Sequence, residues 1–110
     1  MDNLFAQYPE TLSEELIEEI TSGASFTLKR IVSRGHATPQ GKWYDQEQDE
    51  WVILLKGNAD ILIEGKSEMV SLKPGDYVHL PAHKKHRVER TDPDTETVWL
   101  ALHYELKAKG

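Results

Sequence analysis

The chain has 110 residues, of which 38% are hydrophobic and 29% charged, with a formal net charge of -6 and no cysteine. This length suits one domain with one modest hydrophobic core, and the composition is that of a globular protein. The lack of cysteine excludes disulfides and thiolate ligands, so any metal must be held by nitrogen and oxygen atoms. The acidic balance would repel a phosphate backbone, so we expect no nucleic-acid partner.

Membrane insertion and export are also not expected. The longest apolar run, residues 51–55, is far shorter than the roughly 20 residues that span a bilayer. The opening MDNLFAQYPE has neither a basic flank nor an apolar stretch, so we find no secretory signal. These features predict a cytoplasmic protein without membrane contact.

The first predicted element is a short helix over residues 11–22, within an N-terminal arm that covers residues 1–24. Thr11 and Glu14 have the spacing of a capping box, and Gly23 offers a left-handed stop. One face carries the apolar residues Leu12, Leu16, Ile17 and Ile20. The solvated face carries the acids Glu14, Glu15, Glu18 and Glu19.

Residues 25–110 are predicted to form a single barrel domain, because the hydrophobic period changes to two. Phe26, Leu28 and Val32 alternate with polar residues, as in a half-buried strand. Further strands are predicted over residues 51–56, 59–64, 69–72, 77–80, 87–90 and 97–106. Pro74 and Gly75 occupy the central positions of a predicted type II turn. Many short strands with frequent turns favour an all-β sandwich or barrel, since an open sheet would leave exposed edges.

Two stretches of the chain have a distinctive spacing. Gly75 is followed after five residues by Pro81 and then by His86, while Glu50 is followed after six residues by Gly57. In this spacing the chain resembles the cupin superfamily, whose second motif has glycine where this chain has His83. The resemblance implies a double-stranded β-helix, the jelly-roll barrel of that family, here with one short N-terminal helix.

The resemblance also implies a site at the barrel mouth, where Glu50 and His86 would bind one divalent metal. The two histidines that precede the glutamate in the family motif are missing. Their positions fall on Tyr44 and Gln46, or on Trp43 and Asp45. The remaining ligands would therefore come from Gln46, Asp45, Tyr44 or a histidine outside the motif.

Histidines outside the motif are the open part of this prediction. If His36 or His103 faced inward, two imidazoles and one carboxylate would resemble the site of non-haem iron oxygenases. We include His36 among the candidate ligands, while the facing of His79 and His103 depends on a strand register that the sequence does not fix. A set rich in oxygen favours iron(II) or manganese, with zinc and nickel as alternatives.

Three functions fit these residues. The first is a metal-dependent oxygenase or isomerase acting on a small molecule at the barrel mouth. The second is a non-catalytic module that binds or senses a small ligand without metal. The third is a metal-free isomerase in which Glu50, His86 and Tyr44 exchange protons with the substrate. We also expect a homodimer, because a second copy could cover sheet edges and the amphipathic arm.

Overall fold

The computed structural model describes residues 2–9 and 12–106, which contain strands and connecting segments but no helix. The strands are β1 Leu16–Ser22, β2 Phe26–Ser33, β3 Asp49–Lys56, β4 Ala59–Ile63, β5 Val70–Leu72, β6 Tyr77–Leu80, β7 His86–Thr91 and β8 Thr97–Tyr104. Within the same residues there is no helix of the length and apolar character needed to cross a bilayer.

The strands form two sheets, and every pairing is antiparallel. The larger sheet has the order β1-β2-β8-β3-β6, and the smaller one has the order β5-β4-β7. Non-consecutive strands lie side by side, as in a jelly roll. The predicted all-β jelly-roll barrel is therefore confirmed.

The hydrophobic core lies between the two sheets. The larger sheet contributes Val52, Leu54, Leu80, Trp99 and Ala101. The smaller sheet contributes Ala59, Ile61, Ile63 and Leu72. These residues follow the period-two pattern of the sequence, because alternate side chains of a strand point to the same face. Four of these core residues, Val52, Ile61, Leu80 and Trp99, also line the pocket described below.

The predicted N-terminal helix is wrong, since Leu16–Ser22 is the edge strand β1 of the larger sheet. It pairs with β2 from Leu16, opposite Val32, to Ser22, with a bulge between Glu19 and Thr21. Thr11, the predicted cap, lies outside the described residues. Local helical spacing was overridden because the strand gains a full hydrogen-bonded neighbour in β2.

Two of the acids assigned to a solvated helix face are instead bound to β2. The Arg30 side chain donates to the Glu18 carboxylate through Nε at 2.7 Å, and the Ser33 hydroxyl donates to Glu15 at 2.6 Å. Both pairs hold β1 against the sheet. The N-terminal segment thus contributes a barrel strand, and the predicted division at residue 24 falls within the β1–β2 hairpin.

Two tight connections depend on glycine. The predicted type II turn is confirmed, because Asp76 N donates to Lys73 O at 2.9 Å and Gly75 has a φ of 97°. Gly57 ends β3 with a φ of 85°, and a Cβ at this position would lie 2.8 Å from Thr97 Cα. The first glycine is needed for its conformation, and the second for both conformation and space.

Candidate functional site

A half-open pocket of about 150 Å³ lies between the two sheets. Its wall is mainly apolar and includes Ile31, Val52, Ile61, Leu80, Val88 and Trp99. Its polar lining includes Tyr44, Gln46, Glu50, His86 and His103. A small polar cluster set in an apolar wall is typical of a small-molecule site.

Strand register brings Glu50 and two histidines together. Glu50 of β3 lies directly opposite His103 of β8, so both side chains point to the same face of the larger sheet. His86 begins β7 in the smaller sheet and faces them from the other side. The exposed fractions of Glu50, His86 and His103 are only 6%, 7% and 8%. His86 Nε2 lies 3.5 Å from Glu50 Oε1, and His103 Nε2 lies 3.4 Å from Glu50 Oε2.

The His86 ring has a defined tautomer. Its Nδ1 lies 3.2 Å from the carbonyl oxygen of Lys84, which can only accept, so Nδ1 carries the proton. Burial lowers the pKa of His86, which favours the neutral ring. The Nε2 lone pair therefore faces a carboxylate oxygen. Two acceptors in this position repel each other unless a proton or a cation lies between them.

Burial dominates the electrostatics of the other two groups. It raises the pKa of Glu50 to about 7, against the opposing influence of the Lys29 charge. It also lowers the pKa of His103, and the charge of Lys29 acts in the same direction, as does that of His86 when its ring is protonated. At neutral pH the cluster thus holds two neutral imidazoles and a carboxyl group near its midpoint of ionisation.

Gln46 extends the cluster on the His103 side. Its amide nitrogen lies 3.1 Å from His103 Nε2. Nδ1 of His103 is buried and, within the part of the chain that the structure describes, has no hydrogen-bond partner. The ring is therefore anchored at one nitrogen only, through Gln46 and Glu50.

The donor atoms can be compared with those around a divalent ion. Two ligand atoms about 2.1 Å from one ion, at an angle of about 110°, are about 3.4 Å apart. The distances from the Glu50 carboxylate oxygens to His103 Nε2 and His86 Nε2, 3.4 and 3.5 Å, match this separation. Imidazole, carboxylate and amide groups are suitable ligands for iron, manganese or zinc. Across residues 2–9 and 12–106, however, no group of three or more His, Asp or Glu side chains is arranged to hold a metal ion. The ligand types and the two nitrogen–oxygen distances are therefore compatible with a bound ion. Among the described residues, the three side chains are not arranged as a complete three-ligand site.

A loop over residues 34–48 places Tyr44 and Gln46 beside β7. Tyr44 forms a two-way backbone bridge with His86, at 2.8 and 3.1 Å, and its ring stacks on the imidazole with centroids 5.5 Å apart. Burial, with the nearby Glu15 carboxylate as a lesser cause, raises the pKa of Tyr44. The predicted catalytic Tyr44 thus covers one face of His86.

Arg87 fixes this loop from β7. Its guanidinium donates to the carbonyl oxygens of Thr38 at 3.1 Å and Lys42 at 3.0 Å, and lies over the Trp43 ring. Thr38 in turn exchanges two hydrogen bonds of 2.9 Å with the backbone of Val88. The loop therefore behaves as a wall of the pocket, although little of it is regular strand.

The other predicted ligands, Asp45 and His36, lie outside the pocket, as does His79, whose facing the sequence left open. Asp45 is exposed, with Oδ1 3.1 Å from His83 Nδ1. His36 accepts a hydrogen bond from the Arg34 backbone through Nδ1 at 2.8 Å. His79 lies 3.1 Å from the Tyr104 hydroxyl on the outer face of the larger sheet. The structure brings together Glu50, His86, Gln46 and Tyr44, but neither Asp45 nor His36.

His83 has a conformational explanation. Its φ of 63° lies in the left-handed region that favours glycine, the residue the family motif has at this place. The chain thus adopts a conformation that favours glycine with a different residue at this place.

Two pocket residues were missed or left open by sequence reasoning. His103 was one of two histidines whose facing was unknown, and Lys29 of β2 was not considered. Both lie on the inner face of the larger sheet, in the alternation that includes Glu50. Alternate residues of a strand share a face, so pairing β2 with β8, and β8 with β3, in the correct register would have placed Lys29 and His103 on the same face as Glu50.

Comparison with known proteins points to one family. A family model described as the cupin domain matches residues 32–103. The chain is similar to a crystal structure from Ralstonia eutropha JMP134, named provisionally as a mannose-6-phosphate isomerase. The two are 42% identical, with a TM-score of 0.93, covering 96% of this chain and 98% of the other.

Two further proteins are similar to the chain, the first of them in fold. A cupin-family protein with a double-stranded β-helix fold, from Methanocaldococcus jannaschii, is 17% identical with a TM-score of 0.67, covering 89% of this chain and 86% of that one. A 3-hydroxyanthranilate 3,4-dioxygenase from Paraburkholderia phytofirmans is 29% identical over 83% of this chain and 51% of its own length. The chain spans about half the length of the curated relatives it matches.

Proposed function

This chain belongs to the cupin family, and on that premise we propose that its pocket binds a divalent metal ion together with a small organic molecule. The observation that carries the proposal is the pair of buried imidazole nitrogens that face one buried carboxylate, at 3.4 and 3.5 Å. Either a proton or a cation relieves the repulsion between these atoms, and we propose that a divalent cation does so.

Glu50, His86 and His103 would hold the ion. The amide oxygen of Gln46 would be a fourth ligand once the amide, whose nitrogen faces His103 here, is turned. We favour iron(II) or manganese, because the set combines two imidazoles with oxygen donors and contains no thiolate. When bound, such an ion acts as a Lewis acid or activates oxygen. The Lys84 carbonyl keeps the His86 proton on Nδ1, so that Nε2 is available as a ligand.

The rest of the pocket would bind the organic molecule. Its apolar wall excludes water, and Tyr44 covers the rim beside His86. The names of two similar proteins, a dioxygenase and a sugar phosphate isomerase, support a metal-dependent oxygenase or isomerase as the reaction class. Both names refer to reactions of small molecules, so they support the reaction class and not a particular substrate.

Metal analysis of the untagged protein tests the proposal. After purification without chelators and supplementation with manganese or iron, we expect close to one equivalent of metal. His86→Ala and His103→Ala should each lose it, with unchanged circular dichroism. His79→Ala is the matched control, since His79 lies on the outer face. Wild-type protein with less than about a tenth of an equivalent would refute the metal proposal.

The second candidate is a pocket that works without metal. It is supported by the pKa of about 7 for Glu50 and by the open three-ligand arrangement noted above. A proton then fills the gap between Glu50 and His86, and the two groups can exchange it with a bound molecule. If chelator-treated protein still binds or converts a small molecule as well as untreated protein, this candidate replaces the first.

We also propose that the protein is a homodimer. The outer face of the larger sheet carries a row of half-buried apolar residues, Leu28, Leu102 and Trp51, beside Tyr77, which is 64% exposed. Covering such a face is a common reason for self-association. Sedimentation velocity at micromolar concentration should give a dimer, and Leu102→Glu should give a monomer. A monomeric wild-type protein would contradict this proposal.

A further inference from the structure

Lys29 is the cation that stands out in the pocket. It lies on the inner face of β2, opposite Ala101 of β8 on one side and Glu19 of β1 on the other. Among the described residues that line the pocket, it is the only lysine or arginine. Across the described part of the chain, no hydrogen bond or close ion pair joins its ammonium group to a neighbour.

The charge of Lys29 affects the pKa values of Glu50 and His103. It counteracts the effect of burial on Glu50, and it adds to the effect of burial on His103. The side chain is half-buried and lines the pocket, and its cross-strand neighbour Ala101 carries no group that could pair with the ammonium group. A lysine commonly lays its stem along apolar surface and keeps its charge free.

We propose that Lys29 is an anion-binding residue, and that the molecule bound in this pocket is a small organic carboxylate with a compact apolar body. This inference rests on the proposed function, because it concerns the substrate of the same site. The carboxylate would lie against the Lys29 ammonium group. The apolar body would lie against Ile31, Val88 and Trp99.

The volume of the pocket and the charges of its lining residues restrict which carboxylates could bind. A dry cavity of about 150 Å³ holds a molecule such as benzene, so the enclosed part of this half-open pocket matches one six-membered ring or a short branched chain. One lysine matches a single negative charge. A phosphate monoester would bring a second charge into a pocket that also contains Glu15 and Glu50, with no further lysine or arginine among its described lining residues.

Titration calorimetry with four ring compounds tests the inference. Benzoate, benzamide, benzylamine and phenyl phosphate share a ring and differ in charge. Wild-type protein should bind benzoate at least about tenfold more tightly than the other three, the factor expected for one charge-assisted contact. Lys29→Met should weaken benzoate binding by about tenfold and leave benzamide binding unchanged. Lys29→Arg, which keeps the charge, should retain the preference.

Lys66→Met is the matched control, because the same change is made on an exposed turn between β4 and β5. The series is run on manganese-supplemented and on chelator-treated protein. Metal-free protein that still loses benzoate affinity in Lys29→Met would support the anion site while the metal proposal fails. Equal benzoate affinity in wild type and Lys29→Met, or tighter binding of benzylamine or phenyl phosphate, would overturn the anion site whatever the metal content.

Discussion

Replacing Glu50 by glutamine should stabilise the metal-free protein, and increasingly so as the pH rises. In the folded chain burial raises the pKa of Glu50 to about 7, from an ordinary value of 4.5. The folded state therefore binds more protons than the unfolded state between these two values, so the free energy of unfolding falls as the pH rises through this window. Glutamine has nearly the same shape and no charge, so Glu50→Gln removes this penalty.

The size of the effect follows from the shift. One unit of pKa corresponds to about 1.4 kcal/mol, so the penalty approaches about 3 kcal/mol above pH 7 and nearly vanishes below pH 4.5. Because Glu50 is only 6% exposed, solvent screening reduces this figure little. For a domain of this size, about 3 kcal/mol corresponds to a rise in melting temperature of more than about 10 °C.

The assay is denaturant unfolding of chelator-treated wild type and Glu50→Gln from pH 4.5 to pH 8. The lowered pKa values of His86 and His103 destabilise both proteins at acidic pH, so the difference between the two curves isolates Glu50. Glu64→Gln, on an exposed turn, is the control and should follow wild type throughout. Parallel curves for wild type and Glu50→Gln would refute the reasoning about the buried carboxyl group.

Three further predictions concern the fold and the loop that carries the site. Gly57→Ala should cost at least about 3 kcal/mol in unfolding experiments, because its Cβ would collide with backbone atoms, whereas Gly75→Ala should cost about 1 kcal/mol, because only its φ is unfavourable. Gly75→Val should lower the melting temperature clearly more than Lys66→Ala, and equal values would contradict the turn assignment. Arg87→Met should cost about 2–4 kcal/mol and expose residues 38–43 to limited proteolysis, because the loop carbonyl groups lose their donors.

Much of the barrel could be predicted from the sequence, because strand periodicity and turn chemistry are local. The turn at Gly75 and the strands that enclose it depend on neighbouring residues, and their structure agrees with the prediction. The helix prediction failed for the opposite reason. The apolar spacing of Leu16, Ile17 and Ile20 fits a helix, but the pairing of β1 with β2, supported by the contacts of Glu15 and Glu18, is a tertiary effect.

The site was predictable in part for similar reasons. Glu50 and His86 were indicated by motif spacing, whereas the facing of His103 depends on the register between β8 and β3. The sequence of β8 alone allows His103 to face either side of the sheet, and only its pairing with Glu50 of β3 places it on the inner face. His36 and Asp45 were attractive because they lie near the motif in sequence, but the 34–48 loop directs them away from the pocket.

Because His86 belongs to the smaller sheet and Glu50 and His103 to the larger one, any ion or ligand that bridges them is a clamp across the two halves of the sandwich. The sheets cannot separate without releasing it, so occupancy and global opening compete for the same contacts. A clamp of this kind raises stability as its concentration exceeds its dissociation constant, by about 2.7 kcal/mol at a hundredfold excess. Amide hydrogen exchange should then slow most in β3, β7 and β8, which carry Glu50, His86 and His103, and least in the edge strand β1. Occupancy of the pocket would thus set the stability of the barrel in addition to any role in catalysis.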